Sequence, residues 1–415
     1  MKNRYYLFLK LALVLLFGAP DAYCQVQKSV WSDEWVGRIY PSERRIAIDS
    51  TSGARLIFAT TSQAKDLNFY FDWNCWYKDQ SCMFFTSDRN GKTELFGYVP
   101  KTGELICCSP EKKEKNYWFG VVDYQSYDVY MTGGNALISW NITFGFNADS
   151  TKVKDVLVRE RVIAKAPDGK KVSSPLTQSG DCKYLAVAVA PDDRPFEKEI
   201  LAFDIRSGKS KLLYAMHDSV PLTHLQFSKY NPYLLRFAHD APRKPGIHRM
   251  WVVDTRKPGK ATKIHLQERG ELVTHEDWWV NDQLTFCGGY GPDESHVKLV
   301  SIHDQKTRII GAGAWWEGGT PAEIAKYNWW HASGARDGKW VAADNWHGRI
   351  GIIDMRTSHL RLLTQNHRIY GRGEHPHVGW APDSKSVEFT SNQRGNADVV
   401  IAYLPLEKWG YPFEE

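Results

Sequence analysis

The sequence predicts an all-β protein, a single seven-bladed β-propeller, and three observations carry that expectation. A pattern of strand, polar turn, strand, Gly turn and strand recurs along the chain, first at Cys82 to Cys107 (CMFFTSDRNGKTELFGYVPKTGELIC). Its copies start about every 50 residues, the length of one four-stranded blade. No stretch has the pattern of a helical domain or the composition of a linker.

Later copies begin at Asp128, Tyr184, Tyr233, Leu284, Trp340 and Val387, which with Cys82 makes seven. Each follows a short turn-rich lead such as ARDGKW or APDSKS, which would join the innermost strand of a blade to the next. The last copy shows no outer strand after Leu404. An early segment must supply it, either Val36 to Tyr40 or Arg55 to Ala59, because a propeller closes its ring to remove open edges.

At the start of the chain, Lys2 and Arg4 precede an apolar run from Leu11 to Phe17 and the small residues Ala19 and Ala22. This reads as a signal peptide over residues 1–24, too short for a membrane anchor. Asp21-Ala22-Tyr23 is a poor lipobox for attaching lipid to Cys24. The propeller is expected over residues 28–415, in the periplasm or secreted. The remaining cysteines show no CxxC spacing, and Cys75 and Cys82 could bridge or simply be buried.

Hydrophobic residues at 42% and charged residues at 24% are ordinary for a globular protein and exclude disorder. The net charge of +5 has no long Lys/Arg run behind it. It therefore argues against nucleic acid as a partner and suits an anionic substrate. Neither a stable membrane span nor a protein partner is expected. Trp residues are frequent beside histidines, most as blade packing, a few as platforms for sugar rings.

Histidines recur at one position of successive blades, the lead into the innermost strand: His224, His275, His331, and the pair His375 and His377. In a propeller these leads line the central channel. His375 and His377 are two apart on extended chain, so both rings face one point. A pair beside a proline can merely cap a strand, but core packing gives no reason to repeat a titratable ring in four blades. Such a cluster suits a divalent metal, and spacing alone does not choose among manganese, zinc, iron, nickel and copper.

The segments L-T-H-x-x-F-S with L-L-x-F-x-H-D-x-P from Leu222 to Pro242, T-H-E-x-W from Thr274 to Trp278, and H-P-H followed by W-x-P-D and F-T-S-N up to Gly395 resemble the oligogalacturonate lyases. The similarity covers nearly the whole mature chain. It implies a seven-bladed propeller that cuts short pectin fragments by β-elimination with a channel-bound divalent metal. By the resemblance that metal is manganese, with zinc, iron, nickel and calcium left open. It also implies that His275, His375 and His377 are the metal ligands, and that His224 and Arg194 work on the substrate. One departure stands out: the family's fourth ligand, a Gln three residues before H-P-H, is here Arg372, a cation that does not ligate metals.

The expected chemistry follows from the bond to be broken. Eliminating a 4-linked uronate needs a base for the C5 proton, here His224. It also needs a Lewis acid or Arg to stabilise the charge that moves onto the carboxylate. Arg194 and Arg372 are expected to grip carboxylates, with His331, His239 and Trp278 as further substrate contacts. Glu276, beside His275, is either a support for that ligand or part of a surface turn. The substrate expected is an anionic uronate-containing oligosaccharide. Two rival classes remain: a non-catalytic propeller of the cell envelope, and a glycoside hydrolase using Asp240 with Glu276.

Overall fold

The computed structural model describes residues 31–111, 117–218, 220–241, 246–290, 295–311, 329–345, 347–367 and 376–411. Seven antiparallel sheets follow one another as blades. Blade 1 holds Asp66–Asn68, Met83–Ser87, Glu94–Tyr98 and Leu105–Cys107, and blade 2 holds Tyr117–Val122, Asp128–Gly133, Ala136–Phe146 and Val153–Lys165. In blade 3 the inner strand is in two pieces, Lys170–Val172 and Thr177–Gln178, ahead of Tyr184–Pro191, Glu197–Asp204 and Ser210–His217. Blades 4, 5 and 6 each have four strands, with inner strands Leu222–Phe227, Glu271–Trp279 and Trp329–Gly334. Among the described residues no helix is long and apolar enough to cross a membrane.

Blades stack face to face, so a blade strand is buried on both sides and its alternation feeds two cores. In Tyr184–Pro191, Ala186 and Ala188 enter the core shared with blade 4, while Leu185, Val187 and Val189 enter the core shared with blade 2. Indole N–H groups tie neighbouring blades. Trp278 donates to the Gln226 carbonyl at 3.0 Å, Trp279 to Ala335 at 3.1 Å and Trp380 to Ser333 at 2.8 Å.

Of the two segments expected to close the ring, Arg55–Phe58 does so, pairing with Asp398–Tyr403 of blade 7. The residues before it do something the sequence did not announce. Asp33–Val36 adds an outer strand to blade 2, Arg38–Tyr40 adds one to blade 1, and Arg45–Ile48 adds one to blade 7. This strap runs around the rim against the order of the blades. Trp35 anchors it, edge-on to Trp140 at 5.1 Å with its N–H on the Cys108 carbonyl at 2.8 Å, and Arg38 pairs with Glu94 at 2.8 Å.

The strap steps between blades at Gly37, where a Cβ would sit 2.7 Å from Val156 Cγ1 and 2.8 Å from the Cys107 carbonyl oxygen. Backbone cannot retreat from such a clash. Gly37→Ala is therefore expected to cost about 1–3 kcal/mol, read as a lower denaturant midpoint. An unchanged midpoint would show that the strap is not held there.

The expected signal peptide lies outside the described residues. Cys75 and Cys82 do not bridge: both are buried free thiols, as are Cys107, Cys108 and Cys287. Cys75 instead lies 3.3 Å from a Glu388 carboxylate oxygen.

Candidate active site at the channel mouth

Three of the channel histidines share an unusual backbone. His224, His275 and His377 have φ of 47°, 54° and 51°, a left-handed conformation that disfavours any residue with a Cβ. The sheet register shifts between Thr223 and Gln226 and again between Thr274 and Asp277, so His224 and His275 sit in bulges of their inner strands. A bulge inserts an extra residue and re-aims its side chain. Here it turns the imidazole out of the blade and into the channel. His331 lies at a third shift, between Trp329 and His331.

The channel is plugged from blade 1. After Asp66–Asn68 the chain leaves its sheet and rejoins it only at Trp76, which bridges to Met83. The intervening residues cross toward the opposite blades. Tyr70 lies among the histidines, its ring centroid 5.7 Å from His224, 4.9 Å from His377, 5.8 Å from His331 and 6.5 Å from His275. Among the described residues its hydroxyl makes no hydrogen bond. Phe71 packs on His331 at 4.9 Å, and His331 in turn contacts His275 at 4.2 Å and His377 at 4.6 Å.

Beneath the rings lies a buried ionic lattice. Arg236, 2% exposed, donates to the His224 carbonyl at 2.8 Å, to Gln226 Oε1 at 2.9 Å, to Asp72 Oδ2 at 2.6 Å and to the Glu276 carbonyl. One guanidinium thus holds both bulges and the plug. Arg249 bonds Glu276 Oε1 at 2.6 Å and also pairs with Asp240. Burial opposes ionisation of Glu276, yet Arg249 and Arg236 keep its pKa at about 2. Asp344 receives His331 Nδ1 at 2.9 Å and the Val378 N–H at 3.0 Å, and Asn68 donates to the His377 carbonyl at 2.8 Å.

This surrounding keeps His224 and His275 neutral. Burial, then the neighbouring His331 ring and Arg249, push the His275 pKa well below its ordinary value. Burial followed by Arg249 lowers His224 to about 4. Burial and the Asp72 carboxylate raise the Tyr70 phenol well above its usual range, so it stays protonated.

His224, His275, His331 and His377 therefore converge as the repeat spacing implied. His375 and Arg372 lie outside the described residues. Arg194 does not join the cluster: it is 58% exposed on the hairpin between two strands of blade 3, paired with Glu197 at 2.7 Å and Asp193 at 3.6 Å. His239 bonds Asp218 at 3.0 Å. Trp278 corrects the expectation of a sugar platform: it is fully buried, packed between blades 4 and 5 with its N–H used. The indole beside the histidines is Trp330, half-buried, 4.9 Å from His275. His331 is also fully buried, beneath the other rings rather than facing substrate. A hydrolytic pair of Asp240 and Glu276 is overturned, because Arg249 engages both and Glu276 is 1% exposed.

Neutral imidazoles are the donors a divalent transition ion takes. His275 fits that role: Thr274 Oγ1 lies 3.0 Å from its Nδ1, fixing the ring as ligating histidines need. Among the described residues alone, no group of three or more His, Cys, Asp or Glu side chains is arranged to hold a metal. Of the three expected donors, His275 and His377 are among the described residues and His375 is not.

The fold and site define a seven-bladed propeller with a plugged channel and a histidine cluster at its mouth. No family model matches the chain. It is similar to the oligogalacturonide lyase of Pectobacterium atrosepticum, 19% identical over 294 residues, which span 64% of this chain and 67% of that one. Among solved structures it is similar to an oligogalacturonate lyase in complex with manganese, with a TM-score of 0.71 at 17% identity over 90% of this chain and 99% of that one. The oligogalacturonate lyase of Vibrio parahaemolyticus superposes with a TM-score of 0.70 at 16% identity, over the same shares. The resemblance carried by the T-H-E and H-P-H segments is thus met again in both overall sequence and fold.

Proposed function

We propose that the chain is an oligosaccharide lyase that cleaves uronate-containing oligosaccharides, oligogalacturonides among them, by β-elimination outside the cytoplasm. The observation that supports this most is the set of three left-handed histidines, His224, His275 and His377, aimed at one mouth. Backbone strain of this kind costs about 1–3 kcal/mol per residue and persists where a function needs it.

In this reading His275, His375 and His377 would hold a divalent metal, which when bound supplies Lewis-acid polarisation of the uronate carboxylate. The chain's own residues do the rest. His224, neutral at pH 7, takes the C5 proton on a ring nitrogen. The C5–H electron pair forms the C4=C5 double bond as the C4–O4 bond breaks. Tyr70, a protonated phenol stacked 5.7 Å from His224, gives its proton to the departing O4, and solvent carries the proton from His224 back to Tyr70. The plug beneath closes the channel, so substrate enters from one side only.

The test is to incubate the protein with uronate oligosaccharides, with and without a chelator, and follow the ultraviolet absorbance of an unsaturated uronate. Absorbance that rises with metal and fails to rise when a chelator is present is expected. New reducing ends without absorbance would mean hydrolysis, and no change in any substrate would mean a binding protein.

A further inference from the structure

The two halves of the channel mouth are unlike. The expected metal donors belong to one half: His275 lies on the inner strand of blade 5 and His377 just before Gly379–Trp380 of blade 7. On the other half, between blades 2, 3 and 4 and the plug, the mouth widens into a cavity of 340 Å³. Tyr70 and His224 both line this cavity, so the acid and the base of the elimination face into it. Tyr70 stands between the halves, its ring 5.7 Å from His224 and 4.9 Å from His377. Trp118, on the inner strand of blade 2, forms another wall and is 48% exposed, while Phe119 and Val122 of the same strand enter a blade core. An indole face left open in a cavity wall is a surface on which a sugar ring packs. The Thr223 hydroxyl at the same wall is buried with no hydrogen-bond partner, and a ring hydroxyl would satisfy it.

β-Elimination gives the substrate a direction. The uronate that loses its C5 proton carries the carboxylate to be held on the donor side, and the sugar joined through its O4, on its non-reducing side, is expelled. O4 must lie within reach of the acid that protonates it. With the carboxylate toward blades 5 and 7 and Tyr70 at the cavity wall, the O4-linked sugar continues into the cavity. We infer that this cavity takes the sugar expelled in the reaction, and that Trp118 is the platform on which its ring stacks. The oligosaccharide therefore crosses the mouth in one direction, with its non-reducing end over blades 2 to 4, and the unsaturated fragment forms beside blades 5 and 7. This rests on the lyase reading and adds to it the direction of the chain.

The experiment takes a uronate disaccharide that the protein cuts, methyl digalacturonide first, and its counterpart in which O4 of the reacting uronate carries a methyl group instead of a sugar. Both give the same unsaturated methyl glycoside, read by its absorbance. Trp118→Ala should lower kcat/KM for the disaccharide about 3- to 10-fold more than for the methyl ether, and Trp118→Phe should restore most of the difference. If the ether is not cut, its Ki as a competitor is compared instead, and Trp118→Ala should weaken it less than it weakens the disaccharide. Equal losses on the two compounds, or none, overturn the placement and leave the lyase reading standing. If no uronate oligosaccharide gives unsaturated product, the lyase reading fails and the placement with it.

Discussion

His275→Gly is expected to abolish binding of one equivalent of divalent metal and all unsaturated product, while the propeller stays folded. Glycine is the informative replacement because φ at this position is 54°. It removes the imidazole and relieves the left-handed strain, whereas His275→Ala removes the ring and keeps a Cβ in the disfavoured region, about 1–2 kcal/mol worse in backbone terms. The paired variant His224→Gly should retain the metal and lose turnover by about 10²–10⁴-fold, the usual contribution of a general base. Metal content and absorbance measured on both proteins separate the roles. Loss of metal in His224→Gly, or its retention in His275→Gly, would overturn the assignment.

Arg236→Met is expected to be the most destabilising single substitution in the site. It leaves the Asp72 carboxylate and the Glu276 carbonyl buried without their donor and frees the His224 carbonyl. Burial lifts the Asp72 pKa to about 7 even beside Arg236, so in the variant this carboxyl takes up a proton, and the loss comes from unpaired buried polar groups at about 1–3 kcal/mol each. The double variant Arg236→Met with Asp72→Asn should recover part of that loss at pH above 7, where the single variant must still hold Asp72 protonated. Denaturant unfolding of wild type, both singles and the double measures the coupling. Additive losses would mean that the pair acts independently.

The ring and its histidine positions were legible because blades repeat and because the lead into each inner strand recurs with a His. The plug was not, since Tyr70 and Phe71 belong to a departure of the chain from blade 1 that the repeat pattern does not carry, and so leave no periodic trace. The bulges hid a second feature. A strand read as straight gives no sign that Thr274 to Asp277 contains an extra residue, and an extra residue reverses which face the following side chains take. Hence Trp278 goes to the core. Arg372 and His375 rested on the motif alone, whereas Arg194 was carried over from the resemblance to a hairpin where Glu197 and Asp193 pair with it.

Blade 7 is assembled from both ends of the chain, and this sets the order in which the molecule can fold. Val399 bonds Thr60 across 339 residues of sequence, and Arg55–Phe58 finds its sheet only when Asp398–Tyr403 has been made. During synthesis Arg45–Ile48 and Arg55–Phe58 emerge early and can pair with each other, but the other edge of Arg55–Phe58 stays open until the last blade arrives. Contacts so distant in sequence form late and slowly, and an apolar edge left waiting invites association with other chains. Only the end of the rim strap waits for the same event, because Arg45–Ile48 reaches blade 7 through Arg55–Phe58, whereas Asp33–Val36 and Arg38–Tyr40 dock on blades 2 and 1. Closure therefore waits for the last strands, and a nascent chain remains an open ring until Asp398–Tyr403 is complete.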